Sequence, residues 1–240
     1  MRSKVIRPFF SYYGGKWRNA VKLYPTAEHD VVVEPFAGSA GYAIRNWQKQ
    51  VVLCDIDPVV AAVWRYLIRV PAAEILSIPD IGPDDSVDDL PICQEARYLV
   101  GFWLNRGSSR PKKRPSKWMR DGNRPGSFWG DRVRQTIARQ VDLIRHWKVY
   151  CCSYEICPAF GPATWFIDPP YQVAGQHYRH GAAGLDYTSL GQWCRNRSGQ
   201  VIVCENQGAD WLPFAPLADV KTTRGGRSNE VYWTREVRNV

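Results

Sequence analysis

Short β-branched runs, each ending abruptly at a glycine, a proline or an acid, alternate along this chain with stretches of helical period. Residues 30–34 form one such run; it stops at Pro35-Phe36-Ala37-Gly38-Ser39-Ala40-Gly41, and 42–48 then reads as helical. A second buried run, 51–54, ends at Asp55-Ile56-Asp57, after which Pro58 opens a helix expected to continue to Val70. Two strands joined by a helix predict a right-handed parallel unit. Further strands are predicted at 164–167, 201–204 and 231–234. Between these halves, apolar residues at 96, 99, 100, 103 and 104, and again at 133, 137, 141 and 144, predict helices over 91–105 and 131–147. The order predicts an α/β fold with a mixed, mainly parallel sheet. Its core is expected at 1–70 and 149–240, with a small helical and loop insertion at 71–148. The acidic stretch 80–89 reads as a solvated surface loop without function, and no internal repeat is present.

Charge changes this picture by its location. The net charge is +9, yet between residues 106 and 148 thirteen Lys and Arg face three acids, while the rest of the chain carries nineteen against twenty. The basic excess therefore sits in the insertion. Its core, with Asn105, Arg106, Arg110, Lys112, Lys113, Arg114, Lys117, Trp118, Arg120 and Arg124, is rich in Pro and Gly and mixes cations with aromatics. That composition predicts a polyanion partner, with Trp118, Phe128 and Trp129 available to stack or wedge at bases and the segment 106–126 folding on its partner. At 240 residues and 45% hydrophobic content the chain can bury one good core. The first residues lead into no signal-like segment and no apolar run approaches the length of a membrane span, so a cytoplasmic, membrane-free protein is expected. The seven cysteines are scattered, which points to neither a zinc site nor a disulfide framework. His177 and His180 lie in a Gly-rich stretch, 172–186, that reads as a loop over the site rather than a metal centre.

The candidate chemistry lies at Asp168-Pro169-Pro170-Tyr171, directly after the run 164–167. An exocyclic amine on a nucleobase is a poor nucleophile because its lone pair is delocalised into the ring. A carboxylate at Asp168 and the Pro169 carbonyl can each accept one of its N–H groups and hold the nitrogen in a reactive geometry. Successive prolines offer no competing N–H donor, and Tyr171 supplies an aromatic face for an extruded base. The small residues around Gly38 allow a ligand close to the first turn, and Asp55, ending the second strand, can accept the hydroxyls of a ribose.

Four segments occur together in the order of the Dam-like DNA adenine-N6 methyltransferases. They are Phe10-Ser11-Tyr12-Tyr13-Gly14-Gly15-Lys16, Val33-Glu34-Pro35-Phe36-Ala37-Gly38-Ser39, Cys54-Asp55-Ile56-Asp57 and Asp168-Pro169-Pro170-Tyr171. The chain resembles that family over most of its length, including the stretches 102–106 and 227–231. The resemblance implies a seven-stranded Rossmann-like methyltransferase core that uses S-adenosylmethionine, with a target-recognition region inserted before the catalytic motif. It also implies that Tyr12, Lys16, Phe36, Gly38, Asp55 and Asp168 meet the cofactor. The expected activity is methylation of adenine N6 in double-stranded DNA, catalysed by Asp168, Pro169, Pro170 and Tyr171 without a metal. In this reading the cytoplasm is that of a bacterium or of a viral host. Cytosine N4 as the target, a structured RNA substrate and a catalytically silent DNA-binding protein are the alternatives. The recognition sequence and a cognate restriction nuclease are not legible in these motifs.

Overall fold

The β-branched runs become the middle of a seven-stranded sheet. The computed structural model describes residues 6–17, 19–105, 107–122, 127–158, 161–173, 184–221 and 227–235. In chain order the elements begin with α1 (Asn19–Leu23), β1 (Val31–Glu34), α2 (Gly41–Arg45), β2 (Gln50–Asp55) and α3 (Pro58–Leu67). Next come α4 (Ala72–Ser77), α5 (Gln94–Leu104), α6 (Lys117–Arg120) and α7 (Asp131–Ala138). The last part holds β3 (Lys148–Cys151), β4 (Ala163–Ile167), α8 (Tyr187–Arg195), β5 (Gly199–Asn206), β6 (Ala215–Lys221) and β7 (Arg227–Arg235). The strand order is β3-β2-β1-β4-β5-β7-β6. Neighbours from β3 to β5 pair in parallel, and β7 runs antiparallel to both β5 and β6. This mixed, mostly parallel α/β sheet is compatible with a Rossmann-like core.

Local signals explain the central elements. Val32 and Val33, Val51 to Cys54, and all of β4 are buried, as expected for strands covered on both faces. Helix α3 starts where Asp57 accepts a hydrogen bond from the Val59 N–H with Pro58 behind it, and it buries Val60, Ala61, Val63, Trp64 and Leu67 at helical spacing. The two strands missing from the sequence reading have weak local patterns. β3 is an edge strand exposed at both ends, and β6, also at an edge, contains Pro216.

The insertion shares its core with the sheet. Ile75, Leu99, Phe102, Val133 and Ile137 belong to the same apolar cluster as Phe10, Leu53 and Trp64. Helix α5 packs on α3, and α4 on α7. The single helix expected over 131–147 ends at Ala138, and a 3₁₀ turn, Val141–Ile144, follows. Between them the buried Gln140 side chain accepts from the Arg7 N–H at 2.9 Å and donates to the Arg7 carbonyl at 2.6 Å. That reciprocal bond fastens the N-terminal segment at the break.

The acidic stretch 80–89 is not a free loop. Lys113 pairs with Asp88 at 2.6 Å, Arg114 donates to the Asp84 carbonyl at 2.6 Å, Asp80 pairs with Arg134, and the Val87 N–H donates to the Lys113 carbonyl at 2.8 Å. The described part of the basic arm, 107–122, is also folded back on α5. Its Lys112 and Ser116 N–H groups donate to the Gly101 and Leu104 carbonyls. Gly101 permits this approach, because a Cβ there would lie 2.6 Å from the Lys112 carbonyl oxygen. No helix among the described residues is long and apolar enough to cross a membrane.

Candidate functional site

The strand order reverses between β1 and β4, so the loops at their C-terminal ends diverge and leave a crevice. A cleft of about 670 Å³ opens there. Its walls are residues 12–16, the turn 34–41 after β1, Asp55, Ile56 and Asp57 after β2, 152–155 after β3, Asp168 and Pro170 after β4, and 184–186 before α8. Among the described residues, six carboxyl groups (Glu34, Asp55, Asp57, Glu155, Asp168 and Asp186) and one cation, Lys16, line it, and burial holds the Glu34 carboxyl well above its ordinary range. In a chain of net charge +9 that is a local reversal of sign, and it suits a cationic ligand.

The turn after β1 is built for close approach. Gly38 has φ +45°, and a Cβ on it would meet the Tyr12 ring at 3.1 Å. Its N–H donates to Asp55 Oδ2 at 2.9 Å, and its carbonyl accepts from Trp64 Nε1 at 2.8 Å. Asp55 Oδ1 accepts from the Asp57 N–H at 2.9 Å. Each Asp55 oxygen therefore has one backbone partner and a lone pair left for a ligand hydroxyl. Tyr12 is half-buried with its ring edge-on to Phe102 at 5.8 Å, and Phe36 stacks on Tyr154 at 5.5 Å. Glu34 is buried beneath the turn and accepts from the Ala43 N–H at 2.5 Å, which satisfies a donor of the first turn of α2.

Burial pushes the Asp55 carboxyl up to about 6, against the pull of the two backbone N–H groups. A hydroxyl donor prefers the ionised form, so a proton competes with such a ligand below that pH. Binding of a ribose-bearing ligand such as adenosine, followed by calorimetry, should tighten as pH rises through about 6 if Asp55 accepts its hydroxyls. A flat affinity across that range would remove Asp55 from contact with those hydroxyls.

Asp168 sits at the mouth of β4 in a buried polar network. Lys16 Nζ lies 3.4 Å from Asp168 Oδ1 and 3.4 Å from Glu230 Oε2, and it donates to Tyr171 Oη at 2.5 Å. Tyr171 Oη donates to Glu230 Oε2 at 2.8 Å, and Tyr24 Oη does so at 3.1 Å. Burial raises the Asp168 carboxyl above its ordinary range; Lys16 opposes the shift and Glu230 adds to it. The loop beyond β4 is clamped from below. Tyr187 Oη donates to the Pro170 carbonyl at 2.6 Å, and the buried Glu205 accepts from the Gln172 N–H at 3.0 Å and from Trp211 Nε1 at 3.1 Å. The Pro170 carbonyl is thereby engaged. Tyr171 lies with its hydroxyl turned into the network and its ring centroid 4.8 Å from the Lys16 ammonium. Neither Pro169 nor Tyr171 is part of the cleft wall.

The cofactor residues named from sequence, Tyr12, Lys16, Phe36, Gly38, Asp55 and Asp168, all line the one cleft. The basic arm is a separate surface whose root meets the cleft's lip, because the Tyr13 N–H donates to the Ser108 carbonyl and the Gly107 N–H to Ser11 Oγ. Arg110, Lys112, Lys113, Arg114, Lys117, Trp118 and Arg120 are exposed there, and Asn105 is half-buried at the end of α5. Arg106, Arg124, His177 and His180 lie outside the described residues. Of the aromatics expected to reach bases, Trp118 is 64% exposed, but Phe128 is half-buried and Trp129 is buried with its indole N–H on the Pro79 carbonyl. Sequence reasoning missed Glu34, Asp57, Glu155, Asp186 and Glu230. Glu34 carried a signal, since it ends β1 as Asp55 ends β2. Glu230 lies in the stretch 227–231 that the resemblance covers, but nothing in its local pattern marked it for the site, because its partners are brought to it by the sheet. Among the described residues no cluster of His, Cys, Asp and Glu has the geometry of a metal site.

Neither a protein-family model nor a curated protein matches the chain.

Proposed function

We propose that the protein is an S-adenosylmethionine-dependent DNA methyltransferase that modifies the exocyclic N6 of adenine. The observation that carries this reading is the placement of Asp168, with the Pro169-Pro170 turn behind it, beside a Gly-lined acidic cleft at the strand reversal. The cleft suits the cofactor because its lining, among the described residues, combines acceptors for hydroxyls with an excess of carboxylates over cations. Cβ atoms at Gly15, Gly38 and Gly41 would strike Ser39, the Tyr12 ring and the Lys16 backbone, so these glycines let the segment 12–16 pack directly on the turn that walls the cleft. Asp55 would hold the ribose, while Tyr12, Phe36 and Gly38 shape the wall and Asp168 faces the methionine end. When bound, S-adenosylmethionine supplies an electrophilic methyl group on a positive sulfur.

The chain's own residues do the rest. The ionised Asp168 and the Pro169 carbonyl accept the two N–H groups of the target amine, which aims its lone pair at the cleft. Positioning and charge complementarity suffice, and no covalent intermediate on the protein is required. Extruding the base costs about a few kcal/mol, to be recovered by phosphate contacts of the basic arm. Lys117 and Arg120 are exposed on α6 and flank Trp118. Replacing both by Ala should lower duplex affinity and reduce the slope of log K against log salt by about 1.8; an unchanged slope would place the phosphate contacts elsewhere.

The reading is tested by incubating the protein with S-adenosylmethionine and unmethylated duplex DNA, digesting to nucleosides and identifying the modified base by mass spectrometry. N6-methyladenine is the expected product. N4-methylcytosine would keep the amine-acceptor chemistry and change the base, and no modified base would overturn the proposal.

A further inference from the structure

Glu230 reaches the site from β7, the strand that runs against its neighbours, and the residue is 8% exposed. Three donors converge on its Oε2: the hydroxyls of Tyr171 and Tyr24, at 2.8 and 3.1 Å, and the Lys16 ammonium at 3.4 Å. A tyrosine hydroxyl has one proton. With that proton on Glu230, the Tyr171 oxygen accepts from Lys16, so these bonds run from Lys16 through Tyr171 to Glu230, while the same hydroxyl also lies within hydrogen-bond reach of Asp168. The same ammonium lies equally far, 3.4 Å, from Asp168 and from Glu230. A lysine given wholly to Asp168 would occupy the oxygen that an incoming amine needs.

We propose that Glu230 is a positioning residue which, by drawing Lys16 and Tyr171 toward β7, keeps the Asp168 carboxylate loosely paired and open to an amine donor. This inference rests on the reading of Asp168 as the amine acceptor. Several elements bring charged or titratable groups to Asp168. Lys16 comes from the N-terminal segment, Tyr24 from the end of α1, Glu34 from β1, Tyr171 from its own loop, Cys204 and Glu205 from β5, and Glu230 from β7. Lys16 is the cation of this set. Removing the charge of Glu230 deletes an anion that repels ionised Asp168 and shifts the pairing of Lys16 toward Asp168. Both changes act in the same direction and ease ionisation of Asp168.

The test is Glu230→Gln, which keeps the shape and an acceptor oxygen. The Asp168 carboxyl would be titrated by carbon-detected NMR on protein labelled at aspartate and assigned by comparison with Asp168→Asn, and the pH dependence of methyl transfer would be measured in parallel. The Asp168 midpoint should fall in Glu230→Gln. The acidic limb of the rate profile should move to lower pH with it, while the plateau rate drops on the order of tenfold to a hundredfold through misplacement of the acceptor. Tyr24→Phe, which removes a donor and no charge, should leave the midpoint in place. If Glu230→Gln fails to fold, Glu230→Asp, whose shorter side chain holds its charge further from Asp168 and draws Lys16 less, should lower the Asp168 midpoint in the same direction by a smaller amount; an unmoved midpoint there would overturn the inference. An unmoved midpoint with active wild type would sink the role of Glu230 alone. A moved midpoint in a protein that transfers no methyl group would sink the methyltransferase reading and keep the coupling.

Discussion

Asp168→Ala should abolish methyl transfer, lowering kcat by about a thousandfold or more, while duplex binding and the fold are retained. The size follows from the role proposed for the residue. The amine becomes nucleophilic when both its N–H groups are held, and the Pro169 carbonyl alone fixes one of them. Stability should change little, for a reason specific to this network. Removing one partner of a buried ion pair normally leaves the other charge uncompensated at a cost of about 3–5 kcal/mol. Here Lys16 retains Glu230 at 3.4 Å and Tyr171 at 2.5 Å. Burial also disfavours ionised Asp168 in the folded chain, so deleting it removes a strained charge as well as a favourable contact. The basic arm lies on a different surface, so duplex affinity should stay within about twofold of the parent, because its electrostatic part follows the number of phosphates contacted. The comparison requires kcat, a filter-binding affinity and a denaturation midpoint on the same preparation. Transfer surviving in Asp168→Ala would refute the catalytic assignment, and loss of the denaturation transition would show that the residue is needed for folding instead.

Gly41→Ala should be the most damaging change in the cleft from the side of stability. A Cβ at Gly41 would stand 1.8 Å from the Lys16 carbonyl oxygen and 2.7 Å from its carbon. Both are backbone atoms, so no side-chain rotation relieves the overlap. Either α2 moves away from the N-terminal segment or that segment lifts off the cleft. Alanine is preferred over glycine in a helix by about 1 kcal/mol, and this gain is outweighed by overpacking of about 3 kcal/mol. A net loss of about 2 kcal/mol is expected as a shift of the urea midpoint at unchanged slope. Because the displaced residue is Lys16, S-adenosylmethionine binding should weaken as well. A variant as stable as the parent would mean that the segment 12–16 is not held against α2 as described.

Much of this protein was legible before its tertiary structure. The buried runs at β1, β2, β4 and β5 are set by β-branched and apolar residues that occlude both faces, and their ends are set by glycine, proline or an acid. That Asp55 and Asp168 would share one cleft was readable because each ends such a run, and in a parallel sheet strand ends meet along one edge. The location of positive charge was readable too, since thirteen of the 32 basic side chains fall within one stretch of sequence.

Other features were decided by contacts between distant parts of the chain. The edge strands β3 and β6 owe their form to pairing with β2 and β7. Helix α7 stops at Ala138 because Gln140 binds the backbone of Arg7, 133 residues away. The acidic stretch 80–89 and the basic arm are each unremarkable as sequence, and become a paired surface through Asp88 and Lys113. Trp129 and Trp118 sit in the same basic neighbourhood, yet one is buried under Pro79 and the other is exposed. Glu230 acquires its place from the antiparallel return of β7, which sets it beside a tyrosine 59 residues earlier. Periodicity and composition report the free energy of burying a local segment, which each stretch of sequence carries by itself. Which carboxylate shares which cation depends on the sheet order, and no single stretch of sequence encodes it.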